Sequence, residues 1–275
     1  PHKDKMNTHD DDDVSLDYAD RKVFMTGLGM LGWLVSCIRG DLAYTYSMIA
    51  SDMANPTKLS MKRLIWATRY LKGTSTYGGV TKRDMNTSTS QWRHFTDSDQ
   101  GKDQSTVNKG KARCEQISLA NGMPVFYKSK ATSVAMAHPS IIEGHADVSS
   151  AACEIYGAAQ ATFNILYLRY CADEMGITFQ RPSVLEMDNA AAEVFTNNTA
   201  LNSKLRHIDQ RQHWVQALRD HNLIKAIHVD TKVNLADIFT KSIDGPIFRT
   251  LRDMFLHDCT DVCKQGGIKI FINRK

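Results

Sequence analysis

The stretch that most constrains this fold is His145-Ala-Asp-Val-Ser-Ser-Ala-Ala-Cys-Glu-Ile-Tyr156, which opens an apolar-periodic segment running to about Met175. Val148, Ala151, Ala152, Ile155, Ala158, Ala159, Thr162, Leu166 and Arg169 recur at three- and four-residue steps, the spacing of one helical face. The spacing predicts a long packed helix, with Ser149 or Ser150 accepting an orphan amide hydrogen in its first turn. Glu154 then falls one turn in, at the border of the packed stripe beside Ala151 and Ala158. A carboxylate at the margin of a core is costly unless something positive meets it. A divalent cation is one such partner, and the positive end of the helix dipole is another.

Upstream, residues 1–20 are polar and carry the run Asp10-Asp-Asp-Asp13, which reads as a solvated tail or linker. From Val23 to about Lys72 the pattern is helical, within a helical region placed at about 21–80. Leu42, Tyr46, Ile49 and Met53 share a face, Asn55-Pro56-Thr57 breaks it, and Leu59, Lys62, Ile65, Trp66, Arg69 and Tyr70 begin again. The last of these helices presents Lys58, Lys62, Arg63, Arg69 and Lys72 interleaved with Trp66 and Tyr70, either a solvated face or a nucleic-acid contact. Residues 73–90 are rich in Gly, Ser, Thr and Asn and mark a domain boundary.

Beyond it the periodicity changes to that of strands. Gln91 to Asp97, Cys114 to Ala120 and Met123 to Lys130 alternate, with Asn121-Gly122 as a hairpin turn between the last two. The long helix follows, then a short apolar strand Val184 to Asp188, a helix from about Ala190 and another over roughly Ser203 to Asp220. Leu223 to Val229 makes a last strand, and Asn234 to Lys241 starts a further helix. Strand runs that give way to helix–strand alternation imply a mixed sheet flanked by helices over about 90–245. A helix and tail occupy 246–275, where Gly266 to Asn273 could add a short strand.

Composition narrows the partners only slightly. A net charge of +4 permits a nucleic-acid partner without requiring one. Six scattered cysteines without a short-range framework read as reduced thiols of an intracellular protein, and Cys259-x-x-x-Cys263 lacks the second pair a zinc site needs. The polar N-terminus is no signal peptide, and the longest uncharged run, Val23 to Ile38, is too short to cross a bilayer. A start at Pro1 suggests a piece of something longer.

Four carboxylates occupy comparable places: Asp97 ends the first strand of the sheet, Glu154 lies early in the long helix, Asp188 ends the fourth strand, and Asp237 opens a late helix. Strand ends and helix starts are where the side chains of an α/β sheet converge on one edge. Clustered acids without basic partners repel one another and await hard cations such as Mg²⁺ or Mn²⁺. Two such ions about 4 Å apart suit phosphodiester chemistry.

The local sequence around these acids resembles the ribonuclease H domain of copia-type (Pseudoviridae) retrotransposon Pol polyproteins. Thr96-Asp-Ser-Asp99 is similar to that family's Tyr-Ser-Asp-x-Asp-Trp, Ser149 to Tyr156 to its Ser-Ser-Thr-Glu-Ala-Glu-Tyr, Met187-Asp-Asn189 to its Cys-Asp-Asn, and Asn234-Leu-Ala-Asp-Ile-Phe-Thr-Lys241 to its Gln-Leu-Ala-Asp-Ile-Phe-Thr-Lys. Arg206-His-Ile-Asp-Gln-Arg211 and Val125-Phe-Tyr-Lys-Ser-Lys130 match two further segments in order. Upstream, Arg39-Gly-Asp-Leu-Ala-Tyr44 and Arg69-Tyr-Leu-Lys-Gly-Thr74 follow the family's pattern after the reverse-transcriptase palm. The departures are Gln100 where the family has Trp, Gln104-Ser-Thr-Val-Asn-Lys109 where it has Lys-Ser-Thr-Ser-Gly, and Ala152 in place of the first Glu of its helix motif.

The resemblance implies a ribonuclease H-like α/β domain with a mixed five-stranded sheet, preceded by a small helical thumb-like or connecting region. It implies metal-dependent hydrolysis of the RNA strand of RNA–DNA hybrids, with Asp97, Glu154, Asp188 and Asp237 holding two Mg²⁺ ions, for which Mn²⁺ can substitute. Asp99 and Asp147 are read as structural. Nucleic-acid contacts are expected from Lys62, Arg63, Arg69, Lys72, Asn189, Lys204, Arg206, His207 and Arg211. Partners implied are the hybrid and the rest of the Pol polyprotein, namely the reverse-transcriptase palm and fingers and the integrase, with no membrane. The location implied is intracellular, in a cytoplasmic virus-like particle or the nucleus. The polymerase's own Asp-Asp pair has no counterpart, so copying of nucleic acid is not expected, and no histidine falls between Val229 and Asp237 to play the mobile role found in many ribonucleases H. The alternative is a decayed or domesticated nucleic-acid-binding module of the same fold.

Overall fold

The computed structural model describes residues 14–81, 91–99, 113–131, 150–197 and 210–261, with the side chains of 150–152 and 210–213 left aside. In chain order its elements are α1 (Tyr18–Cys37), a 3-10 turn (Gly40–Leu42), α2 (Ala43–Ser51), α3 (Lys58–Gly73), β1 (Tyr77–Gly78), β2 (Trp92–Ser98), β3 (Arg113–Ala120) and β4 (Met123–Ala131). Then come α4 (Ser150–Glu174), β5 (Ser183–Met187), α5 (Ala190–Asn197), α6 (Gln210–Asp220), β6 (Ile224–His228), a 3-10 turn (Thr231–Val233), α7 (Asp237–Thr240), α8 (Gly245–Asp253) and β7 (His257–Asp258). The chain divides into two compact units, residues 1–80 with 242–275, and residues 81–241. The strand considered for 266–273 and the start of the helix read from Ser203 lie outside the described residues.

In the first unit, α1 begins where the Asp17 side chain accepts from the Asp20 amide, and Phe24, Leu28, Leu31 and Val35 form its buried stripe at helical spacing. Gly32 is needed for the approach of α2, because a Cβ there would come within 2.8 Å of the Tyr46 ring. Pro56 ends the preceding pattern, and Thr57 with Ser60 forms the capping box that starts α3. The segment after the second unit returns to this one. Arg252 of α8 donates to the hydroxyls of Tyr70 (3.2 Å) and Tyr77 (3.3 Å), and Tyr70 in turn donates to Asp41 (2.6 Å). Asp41 is also gripped by the buried Arg39 through two hydrogen bonds of 3.0 and 2.8 Å. Strand β7 pairs antiparallel with β1, so backbone as well as side chains tie the late segment in.

The second unit is built on a five-stranded sheet of order β4-β3-β2-β5-β6. Central β2 runs antiparallel to β3 and parallel to β5, and β5 is parallel to β6. This is the mixed sheet with flanking helices that the sequence predicts. Asn121 (φ 50°) and Gly122 (φ 84°) supply the positive dihedrals that a two-residue turn between β3 and β4 requires. Gln116 donates to the Ala161 carbonyl of α4, while Ser129 donates to the Phe239 carbonyl of α7 and Tyr127 stacks on the Phe239 ring. Ser129 and Tyr127 pair with Glu115 and Ile117, the neighbours of Gln116, and successive residues of a strand face opposite ways. Helices α4 and α7 therefore cover opposite faces.

The core of this unit joins Ile155, Ala158, Ala161 and Ile165 of α4 to Leu185, Met187, Ile224 and Ala226 of the parallel strands and Ala192 and Phe195 of α5. Small residues let α4 lie close to β2, and Gly157 is the tightest point, since a Cβ there would collide with the Ser98 hydroxyl. That approach places the first turns of α4 beside the end of β2. Among the described residues no helix is long and apolar enough to cross a membrane.

Candidate metal centre

Parallel strands β2 and β5 end side by side, and their final residues aim Asp97 and, one position past β5, Asp188 at the same edge. Glu154 enters from the first turns of α4, held by the close packing at Gly157. One carboxylate oxygen each from Asp97, Glu154 and Asp188 lies within 4.8 Å of the others. Asp97 and Glu154 are each 6% exposed, and Asp188 is half-buried. Asp237, at the start of α7, is also buried and close enough to Asp97 for its charge to be felt, without joining that close trio.

Three further side chains organise the cluster. Thr240, one turn after Asp237, donates to Asp97 Oδ2 at 2.5 Å and so ties α7 to the end of β2. Thr231 lies close enough to Asp188 to favour its charged form. Lys241 Nζ lies 3.0 Å from Asp237 Oδ2. Against these, Glu154 Oε2 and Asp237 Oδ1 are buried with no hydrogen-bond partner among the described residues.

The electrostatics follow from burial and crowding. Burial, then the charges of Asp97 and Asp188, push the Glu154 carboxyl up to about 10. Burial and Asp97 raise Asp237 to about 7 against the opposing pull of Lys241. Asp188 is raised by burial and then Asp97, with Thr231 and Lys241 working the other way. Burial disfavours the Lys241 ammonium, but Asp237, Asp97 and Asp188 together raise its pKa. A set of hard oxygen donors, two of them buried and unpartnered among the described residues, with burial and crowding opposing ionisation of Glu154, Asp188 and Asp237, fits a divalent cation of the Mg²⁺ or Mn²⁺ kind.

Sequence reasoning missed Glu115. It pairs in register with Asp97, is 2% exposed, and lies 3.9 Å from the Arg113 guanidinium, with a weak contact of 3.4 Å from Ser129 Oγ. Burial is the main cause of its raised pKa. Asp99, read as structural, accepts from the Arg113 amide at 2.7 Å.

The expected nucleic-acid contacts fare unevenly. Lys62, Arg69 and Lys72 are exposed on α3, and with Lys58 and Ile65 they form one stripe at positions 58, 62, 65, 69 and 72. Arg63 does not share it: its side chain is 17% exposed and pairs with Asp52 at 3.3 Å. Asn189 turns its side chain to the amides of Ala191 and Ala192, capping α5. Lys204, Arg206 and His207 lie outside the described residues, as does the side chain of Arg211.

No protein-family profile matches the chain. It is similar to the Retrovirus-related Pol polyprotein from transposon TNT 1-94 of Nicotiana tabacum, at 22% identity over 235 residues, 84% of this chain and 16% of that protein. It is also similar to the Retrovirus-related Pol polyproteins from transposons RE1 and RE2 of Arabidopsis thaliana, at 24% and 23% identity over 80% of this chain and 14% of each relative. The chain thus spans about one-seventh of the length of these relatives, and its resemblance to retrotransposon Pol polyproteins covers both units.

Proposed function

We propose that this chain is the ribonuclease H component of a retrotransposon Pol polyprotein, hydrolysing the RNA strand of RNA–DNA hybrids with Mg²⁺ or Mn²⁺. The supporting observation is the trio of Asp97, Glu154 and Asp188 with ligand atoms within 4.8 Å of one another. Asp97, Glu154 and Asp188 would hold a divalent ion, and Asp237 would complete a second position. Bound there, such ions lower the pKa of an attacking water and offset the charge on the scissile phosphate and its leaving oxygen.

The chain's own residues prepare the site. Thr240 orients Asp97 by donating to its Oδ2. Packing at Gly157 sets Glu154 in depth, and the low exposure of Asp97, Glu154 and Asp237 keeps bulk water from screening their charges. In hydrolysis a water oxygen bonds to phosphorus, the bond to the ribose 3′-oxygen breaks, and that oxygen gains a proton, giving a 5′-phosphate and a 3′-hydroxyl. The exposed stripe of Lys58, Lys62, Arg69 and Lys72 spans about 21 Å along α3, a length suited to tracking a phosphate backbone. The segment of Lys204, Arg206, His207 and Arg211 would add backbone contacts.

The test incubates the purified chain with end-labelled RNA–DNA hybrid, with and without Mg²⁺ or Mn²⁺. Ion-dependent cleavage leaving a 5′-phosphate is expected, and Asp188→Asn should abolish it with little change in melting temperature. Cleavage by Asp188→Asn at the wild-type rate would remove Asp188 from the site. Hybrid binding without cleavage would identify the non-catalytic module instead.

A further inference from the structure

We propose that Lys241 is a resident counter-cation of Asp237, which a divalent cation must displace, so that the acidic centre binds its two ions unequally. The inference rests on the metal reading above and concerns one residue that the reading leaves without a role. Among the described residues, Lys241 makes the only ion pair to any of the four carboxylates. It follows Asp237 by four residues, and its backbone has already left the helix, at φ −143° and ψ 160°. The side chain therefore reaches back over the one turn of α7 to Asp237 Oδ2.

The two members of the pair differ in freedom. Asp237's side chain is 7% exposed and anchored by α7, whereas that of Lys241 is 51% exposed on a flexible four-carbon stem. The ammonium can move into water without disturbing the fold, while the carboxylate cannot follow. Asp237 keeps Oδ1 buried and unpartnered among the described residues, so the lysine satisfies one oxygen of the group and leaves the other without a partner. Among the described residues, the trio of Asp97, Glu154 and Asp188 meets no such ammonium at ion-pair distance.

A single positive charge offsets part of the repulsion among the acids when no metal is present, and it competes for the oxygen a second ion would use. An ion bound by the trio meets no such competitor among the described residues. One bound through Asp237 must exchange with Lys241, and a half-exposed pair of this kind weakens that second step about two- to fivefold.

Mn²⁺ titration of the substrate-free full chain, followed by calorimetry and by the paramagnetic signal of free Mn²⁺, tests this. Wild type should show a tighter and a weaker class of site. In Lys241→Met and Lys241→Gln the weaker class should tighten about two- to fivefold, and Mn²⁺ should raise the melting temperature more than in wild type. Lys241→Arg, which keeps the charge, should behave as wild type. An unchanged or weakened second class in both neutral variants overturns the role of Lys241 and leaves the metal centre standing. No Mn²⁺ binding by wild type or variants overturns the metal centre itself and the inference with it.

Discussion

Glu154→Gln offers the sharpest test of how the acidic cluster is held, because its effect on the ion-free protein should run opposite to its effect on activity. The Glu154 carboxyl is pushed to about 10 by burial, then by Asp97 and Asp188, from an ordinary value of 4.5. Between those two values the folded protein keeps a proton that the unfolded chain has released. Stability from this group is therefore fully present below about pH 4.5 and falls as pH rises toward 10, by about 1.4 kcal/mol per pH unit for one proton. From pH 5 to 8 the loss from Glu154 alone is at most about 4 kcal/mol. Asp237, raised to about 7, adds to the slope below neutrality. Glutamine has nearly the shape of the protonated acid and no proton to lose. Urea unfolding in chelator, followed by circular dichroism from pH 5 to 8, should show wild type losing stability with pH and Glu154→Gln losing less, by up to one proton's slope. The variant should be the more stable protein at pH 8 while cleaving no hybrid. Parallel curves for the two proteins would show that Glu154 is ionised in the folded state at neutral pH, and the argument from burial and crowding would fail.

Gly157→Ala should cost about 1–3 kcal/mol, since its Cβ collides with the Ser98 hydroxyl, and Ser98→Ala in the same chain should recover part of that loss in urea unfolding. Thr240→Val removes the donor to Asp97 Oδ2 and should destabilise by about 1–3 kcal/mol, whereas Thr240→Ser should restore most of it. Arg252→Ala breaks the bonds to Tyr70 and Tyr77 and empties the place of a buried guanidinium stacked 4.3 Å from the Tyr77 ring centroid. It should loosen the first unit, read as faster proteolysis within residues 14–80, with hydrogen-exchange protection of β2 and β5 unchanged.

The acidic centre could be anticipated because its members sit at the ends of elements, where periodicity stops and a polar residue follows an apolar run. Asp97 and Asp188 close strands, and parallel neighbours bring strand ends together whatever the exact register. Glu115 could not be found that way. It faces Asp97 across an antiparallel pair whose strands are separated by residues 99–112, and a separation of that length does not set register as Asn121-Gly122 does for the next hairpin. Arg63 is turned about 100° from Lys62, enough to carry it from the stripe at 58, 62, 65, 69 and 72 onto Asp52, a placement that the basic composition of α3 does not reveal. The return of residues 242–275 to the first unit was also hidden, because the apolar spacing of α8 announces a helix without naming its partner. Asp237 and Lys241 show the same limit most clearly. Their spacing is that of an ordinary solvated helix pair, worth a few tenths of a kcal/mol. What changes its meaning is that one member is buried among carboxylates and the other is free to leave, and only the three-dimensional arrangement supplies that asymmetry.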